Sequence, residues 1–321
     1  MPELGYAVSS EEHGPDDMID YAVRAEESGF DFVSASDHFH PWTSTQGESP
    51  FVWSVLGSIA RETEEVDVGV GVTCPTIRIH PVNVAQATAT VASMLPDREF
   101  LFGVGTGENL NEHVTGERWP EHSVRLEMLE EAIEVMRKLW EGGNTNHHGK
   151  HYTVENARLF TRPDETPPAM VSAFGPRTAS AAAEYADGFW SVGPQEGPLE
   201  AYRDGGGDGP AISQLTVCVD GEGDEDEAVR TAHEWWPQSF LPGELNQTLP
   251  TPRHFEQAVE MVEEEDVREG SLLTDQDPDA HIENLQEIVD AGYDHVYVHQ
   301  VGPDQEAFFE LYEEEVLPAF S

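Results

Sequence analysis

Lysine is nearly absent from this chain. Lys138 and Lys150 are the only two, the remaining basic residues are arginines, and 16 basic side chains stand against 63 acidic ones. The formal charge of −47 argues against a nucleic-acid partner, because phosphate binding needs basic patches. Cysteine is as scarce: Cys74 and Cys218 make neither a disulfide framework nor a zinc site. No uninterrupted apolar run is long enough to span a membrane. Met1-Pro2-Glu3-Leu4 lacks the basic and apolar regions of a signal peptide, which predicts a soluble, cytoplasmic protein. Disorder would be one outcome of so much charge, but strand and helix patterns run through nearly the whole chain. A surface adapted to very high salt fits better, since the Debye length falls to about 3 Å at molar salt and screens the self-repulsion. The expected source is a halophilic archaeon.

Against these absences stand eight short apolar runs alternating with helical patterns. The runs Leu4–Val8, Asp31–Ala35, Val66–Val72, Phe100–Val104, Ala169–Phe174, Gly188–Val192, Gln214–Val219 and His295–His299 read as strands. Helices are predicted near 16–28, 51–62, 81–94, 124–140, 175–186, 224–235, 252–265, 279–291 and 305–320. Repeated β–α alternation implies a parallel sheet with helices outside, here a (β/α)₈ TIM barrel forming a single domain over 1–321. Extra pieces follow strands four and seven. The first is a hairpin predicted at 151–154 and 157–160; the second includes a loop, 237–251, suited to a lid or substrate wall. Residues 201–210, rich in Gly and Asp, read as a flexible connection.

Chemistry in such a barrel is done where strands give way to their following loops. Two such places carry unusual residues. Ser36-Asp37-His38-Phe39-His40-Pro41-Trp42 puts an acid, an imidazole and an indole after the second strand. Gly103-Val104-Gly105-Thr106-Gly107-Glu108-Asn109-Leu110-Asn111 follows the fourth; its alternating glycines let a backbone lie close under a flat ligand, with Glu108 and Asn111 facing it. The spacing is not that of a dinucleotide fingerprint. Gly175-Pro176 opens a helix whose free amides could meet a cofactor phosphate. His147-His148 lies in a polar loop without a chelating set, so no metal site is expected. His295 and His299 alternate on the last strand and point either into the barrel or to its mouth. Trp235-Trp236 reads as packing close to the substrate wall, and Cys74 as a buried thiol beside the site.

Taken together, Ser36-Asp37-His38-Phe39 through Pro41-Trp42, Pro75-Thr76 with Arg78 and Pro81, Ala85-Gln86-Ala87, Gly103 to Glu108 through Asn111-Glu112, Gly175-Pro176, Ala186 to Phe189 and Asp277-Pro278-Asp279 carry a resemblance. The chain resembles the luciferase-like barrel superfamily and, within it, the coenzyme F420-dependent glucose-6-phosphate dehydrogenases. The resemblance implies an 8-hydroxy-5-deazaflavin cofactor, coenzyme F420, that accepts hydride from a substrate alcohol carbon. It implies His38 as base, Trp42 packed against the reacting centre and Glu108 as proton donor. Asp37, Gly71, Val72, Gly107, Asn111, Ala173, Phe174 and Gly175 match cofactor-binding positions, with a cis peptide at Gly71-Val72. A homodimer is also implied.

The substrate pocket departs from the resemblance. Two lysines and an arginine that grip the sugar phosphate are matched by Gln195, Asn246 and Gly270, and neighbouring positions become Val192 and Gln247. Arg253 and Arg268 are the nearest replacements. A phosphate dianion partly buried without a cation would cost several kcal/mol. The expected substrate is a neutral sugar or small secondary alcohol, in a pocket lined by Val192 and Trp190. Two alternatives use the same fold: a flavin-dependent monooxygenase or a pterin reductase, and a non-catalytic deazaflavin-binding protein.

Overall fold

The computed structural model describes residues 2–193 and 196–320, without the Glu196 side chain. Ten strands are present among them: β1 (Glu3–Val8), β2 (Phe32–Ala35), β3 (Asp67–Thr73), β4 (Phe100–Val104), β5 (Thr145–His148), β6 (Thr153–Ala157), β7 (Ala169–Ser172), β8 (Gly188–Trp190), β9 (Ala211–Val217) and β10 (His295–Gln300). Eight of them close a parallel barrel in the order β1-β10-β9-β8-β7-β4-β3-β2, and β5 and β6 form a separate antiparallel pair. Closure is carried by β1, which pairs with β10 (Tyr6 with Val298) and with β2 (Val8 with Ala35). The predicted barrel is therefore the observed one, with its additions after the fourth and seventh barrel strands.

Alternation along the strands sends one set of side chains outward to the helices and the other inward. The inward set, Ala7, Phe32, Leu101, Met170, Trp190, Ile212 and Tyr297, fills the barrel. Trp190 is wholly buried there, and its indole N–H donates to the Tyr297 hydroxyl at 3.0 Å. It forms the floor beneath the mouth and not the pocket wall expected from the sequence. The glycines of β3 and β4 make room for it. A Cβ on Gly71 would lie 2.4 Å from the indole, and one on Gly103 would lie 2.9 Å from it.

Several local expectations are corrected. The hairpin is shifted about five residues toward the N-terminus, to β5 and β6. Its turn is set by Glu131 on the long helix His122–Glu141, whose carboxylate accepts from the backbone N–H groups of Lys150, His151 and Tyr152. Residues 201–210 are not a flexible connection: Glu196–Asp204 is helical, Tyr202 is fully buried, and Arg203 donates to the Gly207 and Gly209 carbonyls. The helix after Gly175 spans only Pro176–Ala182. The predicted helix 252–265 is two, Pro252–Val259 and Glu264–Arg268, the second opened by a reciprocal cap between Glu263 and Asp266. The final helix is α-helical over Gln305–Leu311 and continues as π- and 3₁₀-turns to Phe320. Among the described residues, no helix is long and apolar enough to cross a membrane.

Candidate active site

A cavity of about 580 Å³ opens at the C-terminal mouth of the barrel. His38 stands on its wall, just past the end of β2, and is nearly buried. Its Nδ1 lies 3.1 Å from the His40 carbonyl, so this nitrogen carries a hydrogen and donates it. Nε2 is thereby left as the ring nitrogen with a free lone pair. Two carboxylates converge on it: Glu11 Oε1 at 3.3 Å and Glu108 Oε2 at 4.0 Å. Trp42 packs against the His38 ring at 5.0 Å between centroids and against Phe255 at 5.1 Å.

Glu11 belongs to a segment that sequence reasoning passed over. Ser9 to His13 follow β1 directly and are all buried although all are polar. Glu11 Oε2 accepts from Ser36 at 2.5 Å and from Ser9 at 3.2 Å. Burial pushes the Glu11 carboxyl up, but the His38 ring and the Ser36 hydroxyl outweigh this and hold it below the usual range. Glu12 makes a second acid–imidazole pair with His299, 2.8 Å from its Nε2, and also accepts from the Gly302 N–H. His299 therefore points to the mouth, where Trp236 packs on it at 4.4 Å. His295, at the other end of β10, pairs with Glu3.

The loops after β2 and β4 are tied together by Asn111. Its Oδ1 accepts from the Phe39 and His40 N–H groups at 2.9 and 3.2 Å, and its Nδ2 donates to Glu108 at 3.2 Å. Asn111 lines the cavity, yet its amide is used in holding His38 and Glu108 in place. Asp37 is similarly occupied. Its side chain is fully buried, one oxygen 2.6 Å from Arg78 and the other accepting from Thr73 at 2.5 Å. Arg78 also faces Glu112, whose Oε2 accepts the Arg78 backbone N–H at 2.7 Å. Burial raises the Glu112 carboxyl to about 7, only partly countered by Arg78. Cys74 lies beside this group, contacts Thr76, and has its thiol pushed well up by burial.

The other expected residues line the same cavity: Gly71, Val72, Gly107, Ala173, Phe174, Gly175, Val192, Asn246 and Gln247. The Gly71–Val72 bond is cis, and Gly107 has φ +74°. Phe174 and Val192 are half exposed at the rim. Gln195 lies outside the described residues. Neither Arg253 nor Arg268 lines the cavity; both are exposed, and Arg268 pairs with Asp226. Among the described residues no group of His, Cys, Asp or Glu could hold a metal ion.

An apolar wall at Val72, the side-chain-free backbone of Gly105 and Gly107, and the rim residue Phe174 leave a slot that a flat tricyclic ring would fit. At its base the Ser34 hydroxyl is buried without a partner, a position suited to the polar edge of such a ring.

A closed barrel with its polar groups gathered on the mouth beside a cis peptide has clear relatives. The luciferase-like monooxygenase family matches residues 2–295, and the chain belongs to that family. Within it, the chain is a homologue of proteins named F420-dependent glucose-6-phosphate dehydrogenase. It is 35% identical over 326 residues to that of Microbacterium testaceum (strain StLB037), covering 98% of this chain and 96% of the relative. It is also 35% identical to that of Segniliparus rotundus, covering 98% and 97%. An F420-dependent secondary alcohol dehydrogenase, solved with an F420–acetone adduct, superposes with a TM-score of 0.91 at 30% identity, over 100% of this chain and 99% of that one. The F420-dependent tetrahydromethanopterin reductase of Methanopyrus kandleri (TM-score 0.79, 21% identity) shares the fold.

Proposed function

We propose that this protein is a coenzyme F420-dependent dehydrogenase whose substrate is an uncharged alcohol or sugar. Coenzyme F420, held between Val72, the Gly105 and Gly107 backbone and Phe174, would supply the acceptor for hydride from the carbinol carbon. His38 takes the hydroxyl proton at Nε2, and Glu11 stabilises the resulting imidazolium. Trp42 supplies an apolar face that orients the carbinol and excludes water. Glu108, on the other side of His38, is the group positioned to donate a proton in the second half of the reaction. Asp37 and Asn111 act by fixing the loops that carry these groups.

The observation carrying the substrate class is the charge of the wall. No lysine or arginine occurs among the described residues lining the cavity, whereas Glu11, Asp37, Glu108, Glu112 and Glu244 all do. Arg78 is taken up by Asp37 and Glu112, so a phosphate dianion would meet the Glu11 and Glu244 carboxylates with no lining cation to pair with, an arrangement costing several kcal/mol. A homodimer working at high salt in a halophile is part of the same proposal. The test is loss of F420 absorbance in multimolar KCl with glucose 6-phosphate, free sugars and secondary alcohols offered in parallel.

A further inference from the structure

We propose that Gln238, with Asn246 beside it, is a specificity-determining subsite that takes a hydroxyl group of a polyhydroxylated, uncharged substrate. The proposal rests on the dehydrogenase reading above and narrows its substrate class.

Gln238 sits in the 3₁₀ turn Pro237–Phe240, which follows the helix Glu225–Trp235 and contributes to the cavity wall. The turn is held on both sides. Phe240 packs so closely on Gly270 that a Cβ there would lie 2.3 Å from its ring. The Gln238 carbonyl accepts from Leu241 N–H at 3.2 Å and from Asn246 Nδ2 at 3.0 Å. The backbone acceptor is thus doubly satisfied while the side chain is not satisfied at all. Gln238 is 2% exposed, and neither its Nε2 nor its Oε1 has a partner; Asn246 Oδ1 is likewise buried and unpartnered.

A buried amide with both ends unpaired destabilises a fold, and an apolar side chain of the same shape would serve packing better. Retaining an amide there makes sense if a ligand completes it. The three open atoms are one donor group and two acceptors. A hydroxyl both donates and accepts, so it can satisfy Oε1 and Nε2 together. A phosphate dianion only accepts and would face two carbonyl oxygens. The hydroxyl that reacts is engaged at His38, so a second hydroxyl on the same molecule is required to reach Gln238. A simple secondary alcohol has none, whereas a sugar or polyol does.

The experiment compares kcat and KM of the wild-type holoenzyme and Gln238→Leu with F420, using glucose and sorbitol against 2-propanol and 2-butanol. The wild type is expected to prefer the polyhydroxylated substrates. Gln238→Leu is expected to lower the sugar-to-2-propanol ratio of kcat/KM at least tenfold, mainly through KM, with Tm equal or higher. A ratio changed less than threefold overturns the proposal, as does a lower Tm at unchanged ratio, which would mark an amide satisfied by buried water. A wild type that oxidises only mono-alcohols overturns it while leaving the dehydrogenase reading intact; a wild type that reduces F420 with no alcohol overturns both. Asn246→Leu, expected to shift the ratio in the same direction, is the second variant should Gln238→Leu fail to fold.

Discussion

Glu11 is the residue whose removal is most informative, because one oxygen faces His38 while the other is held by the Ser36 and Ser9 hydroxyls. Its Oε1 lies 3.3 Å from His38 Nε2, the nitrogen we propose takes the proton, and both side chains are nearly buried. At an effective dielectric of ~20, opposite charges at that distance attract by about 5 kcal/mol. Glu11→Gln keeps the shape and removes the charge. In the transition state the proton is only partly on Nε2, and the serine hydroxyls already draw charge from the carboxylate. Roughly half the attraction, about 2.5 kcal/mol, is then lost from the barrier, which corresponds to ~10²-fold in kcat. Steady-state rates with F420 and a saturating alcohol measure it, with cofactor Kd followed by its fluorescence. The expected result is a large fall in kcat with cofactor affinity nearly unchanged. Ser36→Ala removes the 2.5 Å bond but keeps the charge, and is expected to cost less than tenfold. A Glu11→Gln rate within threefold of wild type would refute the reasoning, since the carboxylate would then not be sustaining the base.

His38→Ala is expected to retain F420 affinity within about threefold while kcat falls by roughly 10²–10⁴-fold, the usual range for losing a general base; unchanged turnover removes His38 from the mechanism. Glu112 makes a separate prediction about pH. Its folded carboxyl is raised to about 7 from an ordinary value of 4.5, so the stability it supports is full below that ordinary value and is lost as pH rises through about 7. Ionisation in place costs about 3 kcal/mol at pH 8. Glu112→Gln should therefore gain in Tm relative to wild type between pH 5 and pH 8, and a difference that is flat or of opposite sign contradicts the burial argument.

The barrel was legible in the sequence because its strands are short, apolar and regularly separated by helical patterns, and no distant contact is needed to see that. The loops after β2 and β4 were legible for the same reason: unusual residues follow unmistakable strands. Glu11, Glu12 and His299 were not singled out as site residues. Ser9-Ser10-Glu11-Glu12-His13 looks like a solvated turn before a helix, and only closure of β1 between β2 and β10 buries it. The rule that chemistry gathers past the C-terminal strand ends applies equally to β1 and β10, and there it would have found all three residues. Trp190 was misplaced because an aromatic in a strand can face either way. Gly71 and Gly103, opposite it, make room for its indole, and Gly71 also lines the cavity. Gln238 carries no sequence signal; its meaning lies in hydrogen bonds that it does not make.

The most direct measurement of the central claim is the rate of F420 reduction by this protein in multimolar KCl, with glucose 6-phosphate and unphosphorylated alcohols and sugars compared under identical conditions. The predicted result is bleaching of F420 by the neutral substrates and little or none by glucose 6-phosphate at low concentration. Efficient turnover of glucose 6-phosphate would contradict the reading of a cation-free wall, and silence with every alcohol would contradict the dehydrogenase itself.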